Sequence, residues 1–199
     1  MRRLILITIT ATILSTFQMT GRGLRWGVEW GASGICHSNT SCIYMAEEGY
    51  AVEYEKNSNR LHINASIEGF VGMDFARRLN VSLHSGYSGI ADGERGVPLS
   101  LRPTLYFGKA PASGGSSIFL EGGVFFRKKA YISKFAKIGT GWRTKLSEHI
   151  SLDFNIGIQI STSNPDIYDK YSGKYLRNRE VRELKCINEG FFLSTALVF

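Results

Sequence analysis

Ile150-Ser-Leu-Asp-Phe-Asn-Ile-Gly-Ile-Gln-Ile-Ser161 is the stretch that decides the fold. Ile150, Leu152, Phe154, Ile156, Ile158 and Ile160 alternate with Ser151, Asp153, Asn155, Gly157, Gln159 and Ser161. A period of two sends successive side chains to opposite faces of a β-strand, so one face here is wholly apolar and the other polar. Working outward, the same alternation recurs with less purity over 24–32, 61–75, 80–89, 97–108, 118–127, 135–146 and 191–199. Each segment is near the 9–11 residues that a tilted strand needs to cross a bilayer. Counting 150–161, the chain offers eight such segments.

The connections fit an up-and-down order. Segments two and three are joined by 76–79, four and five by 109–117 (with Pro111 and Gly114-Gly115), and six and seven by 147–149. The intervening connections are 33–60, 90–96, 128–134 and 162–190, of which the first and last are long. Short turns at one end and longer loops at the other, with an even strand count, is the layout of a transmembrane β-barrel. Within the first long connection Tyr50, Val52 and Tyr54 alternate with Ala51, Glu53 and Glu55, which reads as an outer hairpin or strand extension.

Composition agrees. Gly is frequent at 22 of 199 residues, which suits strands and turns better than helices, where each interior Gly costs about 1 kcal/mol. The net charge of +7 is spread along the chain without a basic stripe, which argues against nucleic acid and is compatible with anionic lipid headgroups or lipopolysaccharide. At the start, Arg2 and Arg3 precede an apolar run from Leu4 to Phe17, the pattern of a secretory signal peptide. We expect a leader over 1–23 and a single barrel domain over 24–199. Cys36 lies too far downstream of the apolar run to serve as a lipid anchor.

Charge placement orients the faces. The apolar faces of the eight segments carry no Asp, Glu, Lys or Arg. The opposite faces carry Glu29, Glu68, Asp74, Glu121 and Asp153 with Arg25, Arg102, Arg127, Lys137, Arg143 and Lys145. Near balance of sign is expected of charges enclosed in a narrow lumen, because unpaired buried charge is costly. A soluble lipocalin-like barrel would have the reverse arrangement, with an apolar cavity. Phe70, Tyr106, Phe119 and Phe125 also fall inward. Trp26, Phe75, Phe107 and Phe199 fall at the short-turn end and Tyr87, Phe126 and Phe191 at the other, as two aromatic girdles would. Pro103 falls on the apolar face of its strand, where a bulge or an open hydrogen bond must absorb it.

The chain closes with Gly190-Phe-Phe-Leu-Ser-Thr-Ala-Leu-Val-Phe199, placing Phe191, Leu193, Thr195, Leu197 and Phe199 on one face. This resembles the C-terminal signal that outer-membrane proteins present to the barrel-assembly machinery, with Thr195 as a departure from its apolar pattern. With the eight segments, it resembles the small outer-membrane barrels of the OmpA/OmpX type. Gly96-Val-Pro-Leu-Ser-Leu-Arg102 is similar to a strand of the PorT-like outer-membrane β-barrel group. The resemblance implies an all-β, eight-stranded antiparallel up-and-down transmembrane barrel in a bacterial outer membrane.

Candidate sites are few. His84 faces inward near Ser82, and His62 shares a face with Glu68. A Ser–His pair is used by some lipid-modifying barrels, but no third orienting group is evident, so no catalytic residue is assigned. The four His and three Cys show no metal-ligand spacing, and no phosphate-binding loop is present, so no cofactor is expected. Cys186 is expected to pair with Cys42 or Cys36, tying the long loops together, with Cys36–Cys42 as the alternative. Tyr44, Tyr50, Tyr54, Tyr168, Tyr171 and Tyr175 give those loops the composition of a binding surface.

The leading expectation is therefore a barrel with a closed, ion-paired lumen that acts through its long outer loops in adhesion, envelope integrity or assembly with a partner protein. A narrow pore or secretion component, a lipid-modifying enzyme and a soluble secreted barrel remain alternatives. Replacing Phe199 with Asp is expected to lower the amount of folded barrel in outer-membrane fractions, measured by quantitative immunoblotting. Unchanged levels would contradict the assembly-signal reading.

Overall fold

The computed structural model describes residues 23–46, 49–91, 94–107, 114–127, 132–165, 167–169, 173–176 and 181–199. The expected leader up to residue 22 and Pro111 fall outside these residues, as does Tyr171.

The described residues form eleven strands: β1 (Leu24–Met45), β2 (Ala51–Ser58), β3 (His62–Ala76), β4 (Leu79–Ala91), β5 (Glu94–Tyr106), β6 (Gly115–Phe126), β7 (Ile132–Lys145), β8 (Ser151–Ser163), β9 (Tyr168–Asp169), β10 (Lys174–Tyr175) and β11 (Val181–Val198). Eight of them, β1, β3 to β8 and β11, pair antiparallel in sequence order, and β11 returns to β1 to close an up-and-down barrel. Closure runs from Gly27↔Val198 to Tyr44↔Val181. At the closing seam Trp26 and Phe199 exchange backbone hydrogen bonds of 3.3 and 2.8 Å, and their rings stack with centroids 4.5 Å apart.

The two long connections contain more strand than the alternation indicated. β1 continues through Cys36–Met45 and returns as β2, while β11 begins at Val181, so a sheet of β2, β1 and β11 projects beyond the barrel. Its start, His37-Ser-Asn-Thr-Ser41, is polar on both faces, so periodicity gave no sign of a strand there. The residues from 51 onward do form the outer hairpin with β1. Between Ile35 and His37 the β1–β11 register shifts by one residue. Such a bulge re-aims every side chain beyond it. Below it the odd-numbered Arg25, Gly27 and Glu29 face inward; above it the even-numbered Thr40, Cys42 and Tyr44 do, and all three are buried.

Pro103 is absorbed by an open ladder. On the β6 side pairing lapses between Leu101↔Gly122 and Thr104↔Phe119 and resumes in the same register, with no bulge. Pro98, five residues earlier and therefore facing the other neighbour, coincides with the corresponding lapse on the β4 side, between Ser85↔Leu99 and Ser88↔Gly96. The turn into β6 uses Gly114 and Gly115 at φ of 81° and 122°, a region that favours glycine.

Inside and outside are inverted relative to a soluble protein. Outward-facing Leu83, Leu101, Leu120, Ile138, Ile156 and Ile158 are all exposed, while inward-facing Ser82, Ser100, Arg102, Glu121 and Asn155 are buried. Trp26, Phe75, Phe107 and Trp142 stand exposed toward the short-turn end, and Tyr87, Phe126 and Phe191 toward the extension end. Monomeric soluble proteins rarely expose a contiguous apolar surface of this extent.

The two faces of β8 give a direct comparison: Ile156 is 56% exposed and Asn155 6%. In a refolding titration into lipid, Ile156→Arg is expected to destabilise the barrel by about 2–4 kcal/mol at mid-membrane depth. Asn155→Arg should cost less. The opposite ranking would mean that the apolar exterior is not the lipid face.

Candidate functional site

The site is the charged lumen, built by residues that alternation aims inward from six strands. At its centre Arg102 on β5 lies between two carboxylates. Its Nη1 donates to Glu29 Oε2 on β1 at 2.6 Å and its Nη2 to Glu29 Oε1 at 3.2 Å. Its Nε and Nη2 donate to Glu121 Oε2 on β6 at 2.9 and 2.7 Å. Ser100 donates to the other Glu121 oxygen at 2.7 Å, and Ser194 donates to Glu29. Lys137 on β7 lies directly opposite Glu121 in register, 3.4 Å from Oε1, and 3.9 Å from Glu68 Oε1 on β3. Glu121 is 0% and Arg102 5% exposed. Fork-like guanidinium–carboxylate pairing suits such burial: the planar donors meet both oxygens of Glu29 and converge in a pair on one oxygen of Glu121, whose other oxygen is met by Ser100 and Lys137.

Aromatic rings fill the space around this septum. Arg102 sits 4.8 Å over Phe119, and Lys137 lies 5.2 and 5.6 Å from the Phe135 and Phe192 ring centroids. Gly139 makes this possible, since a side chain there would collide with the Phe119 and Phe192 rings. Toward the short-turn end two further pairs line the wall. Arg25 meets Asp74 at 2.9 Å, and Asn80 also donates to Asp74. Arg143 meets its cross-strand partner Asp153 at 2.6 Å and lies 4.7 Å over the Tyr106 ring.

The septum divides the lumen into two chambers. The one on the short-turn side, about 440 Å³ counting the open space at its mouth, is lined by Arg25, His84, Arg102, Tyr106 and Asp153 among others. The one on the extension side, about 540 Å³ including its mouth, is lined by Glu68, Phe125, Phe135, Lys137, Ser161 and Phe192 among others. Glu29 contributes to both.

Of the eleven charges expected inside, nine join the septum or the two wall pairs: Arg25, Glu29, Glu68, Asp74, Arg102, Glu121, Lys137, Arg143 and Asp153. Lys145 does not join them. It is exposed at the end of β7, because the strand stops there and its side chain reaches solvent past the rim. Arg127 follows the last residue of β6 at the opposite end, half-buried. On β11, Phe191, Leu193, Leu197 and Phe199 face outward, and Thr195 is half-buried among them.

His84 has a neighbour that sequence reasoning missed. Its Nε2 is 2.8 Å from Ser82 Oγ, and its Nδ1 lies 3.6 Å from Glu29 Oε2, a residue more than fifty positions away that the barrel's curvature brings across. Ser, His and Glu thus stand in the order of a hydrolytic triad. However, Nδ1 makes no hydrogen bond, and Glu29 is already bonded to Arg102 and Ser194. The His84 ring stacks on Phe70 at 4.9 Å, and both Ser82 and His84 are buried in the wall. That arrangement fills and braces the lumen wall on the short-turn side. Among the described residues no group of His, Cys, Asp and Glu is placed to hold a metal ion.

The cysteine pairing expected from the sequence is not formed. All three thiols are free. Cys42 and Cys186 do share the interior face of the projecting sheet, but the register sets Cys186 opposite Thr40 and Cys42 opposite Leu184. Cys186 accepts the Thr40 hydroxyl at 3.2 Å, and Cys42 packs with Tyr44 and Ile167. The bulge turns Cys36 outward, which separates it from Cys42. Burial pushes the Cys42 thiol up from its ordinary value.

With this geometry in view, similarity to solved structures concerns the strand layout. The crystal structure of Neisserial surface protein A (NspA) is 12% identical, with 88% of this chain and 98% of that one covered and a TM-score of 0.42. The outer-membrane protease OmpT from Escherichia coli is 10% identical, with 90% and 96% covered and a TM-score of 0.35. No family model matches the chain, and no curated protein matches it.

Removing Arg102 leaves Glu29 and Glu121 facing each other without their shared cation. Arg102→Ala is expected to destabilise the barrel by roughly 3–5 kcal/mol in a denaturant titration. Adding Glu29→Gln and Glu121→Gln to that variant should recover a large part of the loss. No recovery would show that packing, and not charge, carries the septum.

Proposed function

We propose that this protein is an integral outer-membrane barrel with a closed lumen that acts through its projecting sheet as a surface-exposed binding module, in adhesion, envelope integrity or partner assembly. One observation carries the reading: an apolar exterior edged by aromatic rings surrounds a lumen filled by a bonded network of charges. The exterior is the surface a bilayer covers, since backbone groups in lipid must be bonded internally and a closed barrel bonds them. Lipid and lipopolysaccharide are the expected surroundings, and the barrel-assembly machinery the expected route.

The projecting sheet supports the second half of the proposal. It has its own apolar centre of Cys42, Tyr44 and Ile167, with Val52, Tyr54, Leu176, Val181 and Leu184 packed against it. Tyr44 and Tyr54 therefore belong to its interior and not to the binding surface that the loop composition suggested. Tyr50, Tyr168 and Tyr175 remain exposed, and Tyr168 and Tyr175 meet edge to face at 5.3 Å across the β9–β10 hairpin. Preorganised aromatic rings on a folded platform lose little entropy on binding.

A small barrel's interior is just wide enough for side chains to fill it. Purified protein in a planar bilayer is accordingly expected to give no steady conductance. In crosslinked cells, replacing Tyr50, Tyr168 and Tyr175 together with Ser should abolish partner crosslinks while leaving barrel levels unchanged. A stable open channel would put transport ahead of surface binding.

A further inference from the structure

Closure of the barrel pairs its strands on both sides, but the projecting sheet is not closed. Among the described residues, β2 is the one strand of the nine-stranded sheet with a partner on a single side along its whole length. Its eight residues pair with 38–45 of β1 without a register shift and include no proline. Native edge strands are commonly blunted by a bulge or a proline, and β2 carries neither.

The phase of the ladder decides which backbone groups are left over. Ala46 donates to the Tyr50 carbonyl at 2.9 Å, and the antiparallel pairs that follow alternate between hydrogen-bonded and open. Val52, Tyr54, Lys56 and Ser58 therefore bond to β1. Ala51, Glu53, Glu55 and Asn57 turn their N–H and C=O groups to the free edge.

The side chains add a second, independent pattern. Glu53 and Glu55 stand exposed on one face, opposite the uncharged Ile43 and Ser41, and neither has an ion-pair partner among the described residues. Val52 and Tyr54 stand half-buried on the other face, at the margin of the Cys42 cluster. The carboxylates alone select nothing; beside a line of unpaired backbone groups they specify a strand. Such a strand sets bases at alternate positions against the two glutamates. Apolar residues between the bases continue the face of Val52 and Tyr54. A second copy of β2 fits poorly, because antiparallel pairing about Tyr54 sets Glu53 against Glu55. Anionic lipid is repelled by the same two carboxylates.

We propose that the free edge of β2 takes up an extended segment of a partner protein as an added antiparallel strand, with lysine or arginine alternating with apolar residues. The proposal rests on the projecting sheet being a binding module, and names the chemistry of its partner and the mode of attachment.

Calorimetric titration of the full folded barrel in a zwitterionic detergent tests it, with a blocked peptide of alternating lysine and valine as the probe. Saturable binding at one site is expected, and none by the glutamate–valine counterpart. Glu53→Lys combined with Glu55→Lys should weaken the lysine peptide by about tenfold, the scale of two cross-strand pairs turned from attractive to repulsive. The same variant should admit the glutamate peptide. In an antiparallel added strand the lysine amides face β2 and the valine amides face away. N-methylation of the lysine amides should therefore abolish binding to the unaltered barrel, and N-methylation of the valine amides should spare it. Both modified peptides keep every charge. Binding that survives lysine N-methylation overturns the proposal, since charge attraction alone then accounts for it. Absence of saturable binding also overturns it. Should the tyrosine-dependent crosslinks persist in that case, the edge alone falls and the wider reading of the sheet stands.

Discussion

Everything in the interior is arranged around one guanidinium. Arg102 is buried in the middle of the barrel and reaches carboxylates from β6, which pairs with its own β5, and from β1, which does not. An ion in that position is tolerable only if every donor has a partner, and the partners must therefore be held still. Ser100 and Ser194 hold the two acids, Phe119 lies against the guanidinium face, and Lys137 balances Glu121 from the neighbouring strand. The network spans the bore from wall to wall.

The exterior answers a different constraint. Once the charged residues are turned inward, strict alternation turns the branched aliphatic residues out, and the resulting belt needs a nonpolar medium. Pro98 and Pro103 open the ladder of β5 on opposite sides, yet neither changes the register, so Arg102 between them keeps its aim. A bulge at either proline would have rotated it out of the septum.

Much of this was legible in the sequence because a period of two is a strong signal wherever one face is apolar. The eight strands of the barrel and the outward apolar face followed from it. What the sequence did not disclose is which inward residues meet. Contacts across the lumen depend on strand tilt and stagger, and so Glu29 with Arg102 or His84 with Glu29, at separations of more than fifty residues, could not be paired from spacing. Lys145 has the right parity but stands one turn of the strand too close to the rim. The projecting part of β1 stayed hidden for the opposite reason: its Ser-Asn-Thr-Ser run carries no apolar face to alternate. The cysteines show the same limit: the bulge turns Cys36 outward and brings Cys42 onto the face of Cys186, but two residues out of step with it, an offset that spacing does not disclose.

That bulge divides the protein into two modules with separate phases. Below it, side-chain direction is locked to the barrel; above it, to a small sheet whose centre is Cys42 and Tyr44. One residue more or fewer between Ile35 and His37 would turn those two toward solvent and bring Ser41 and Ile43 in, dismantling the sheet while leaving the barrel below intact. Length at this point, and not residue identity, is what the fold constrains. Substitutions in the projecting sheet can accordingly leave the barrel undisturbed, provided that the count of residues at the joint is kept.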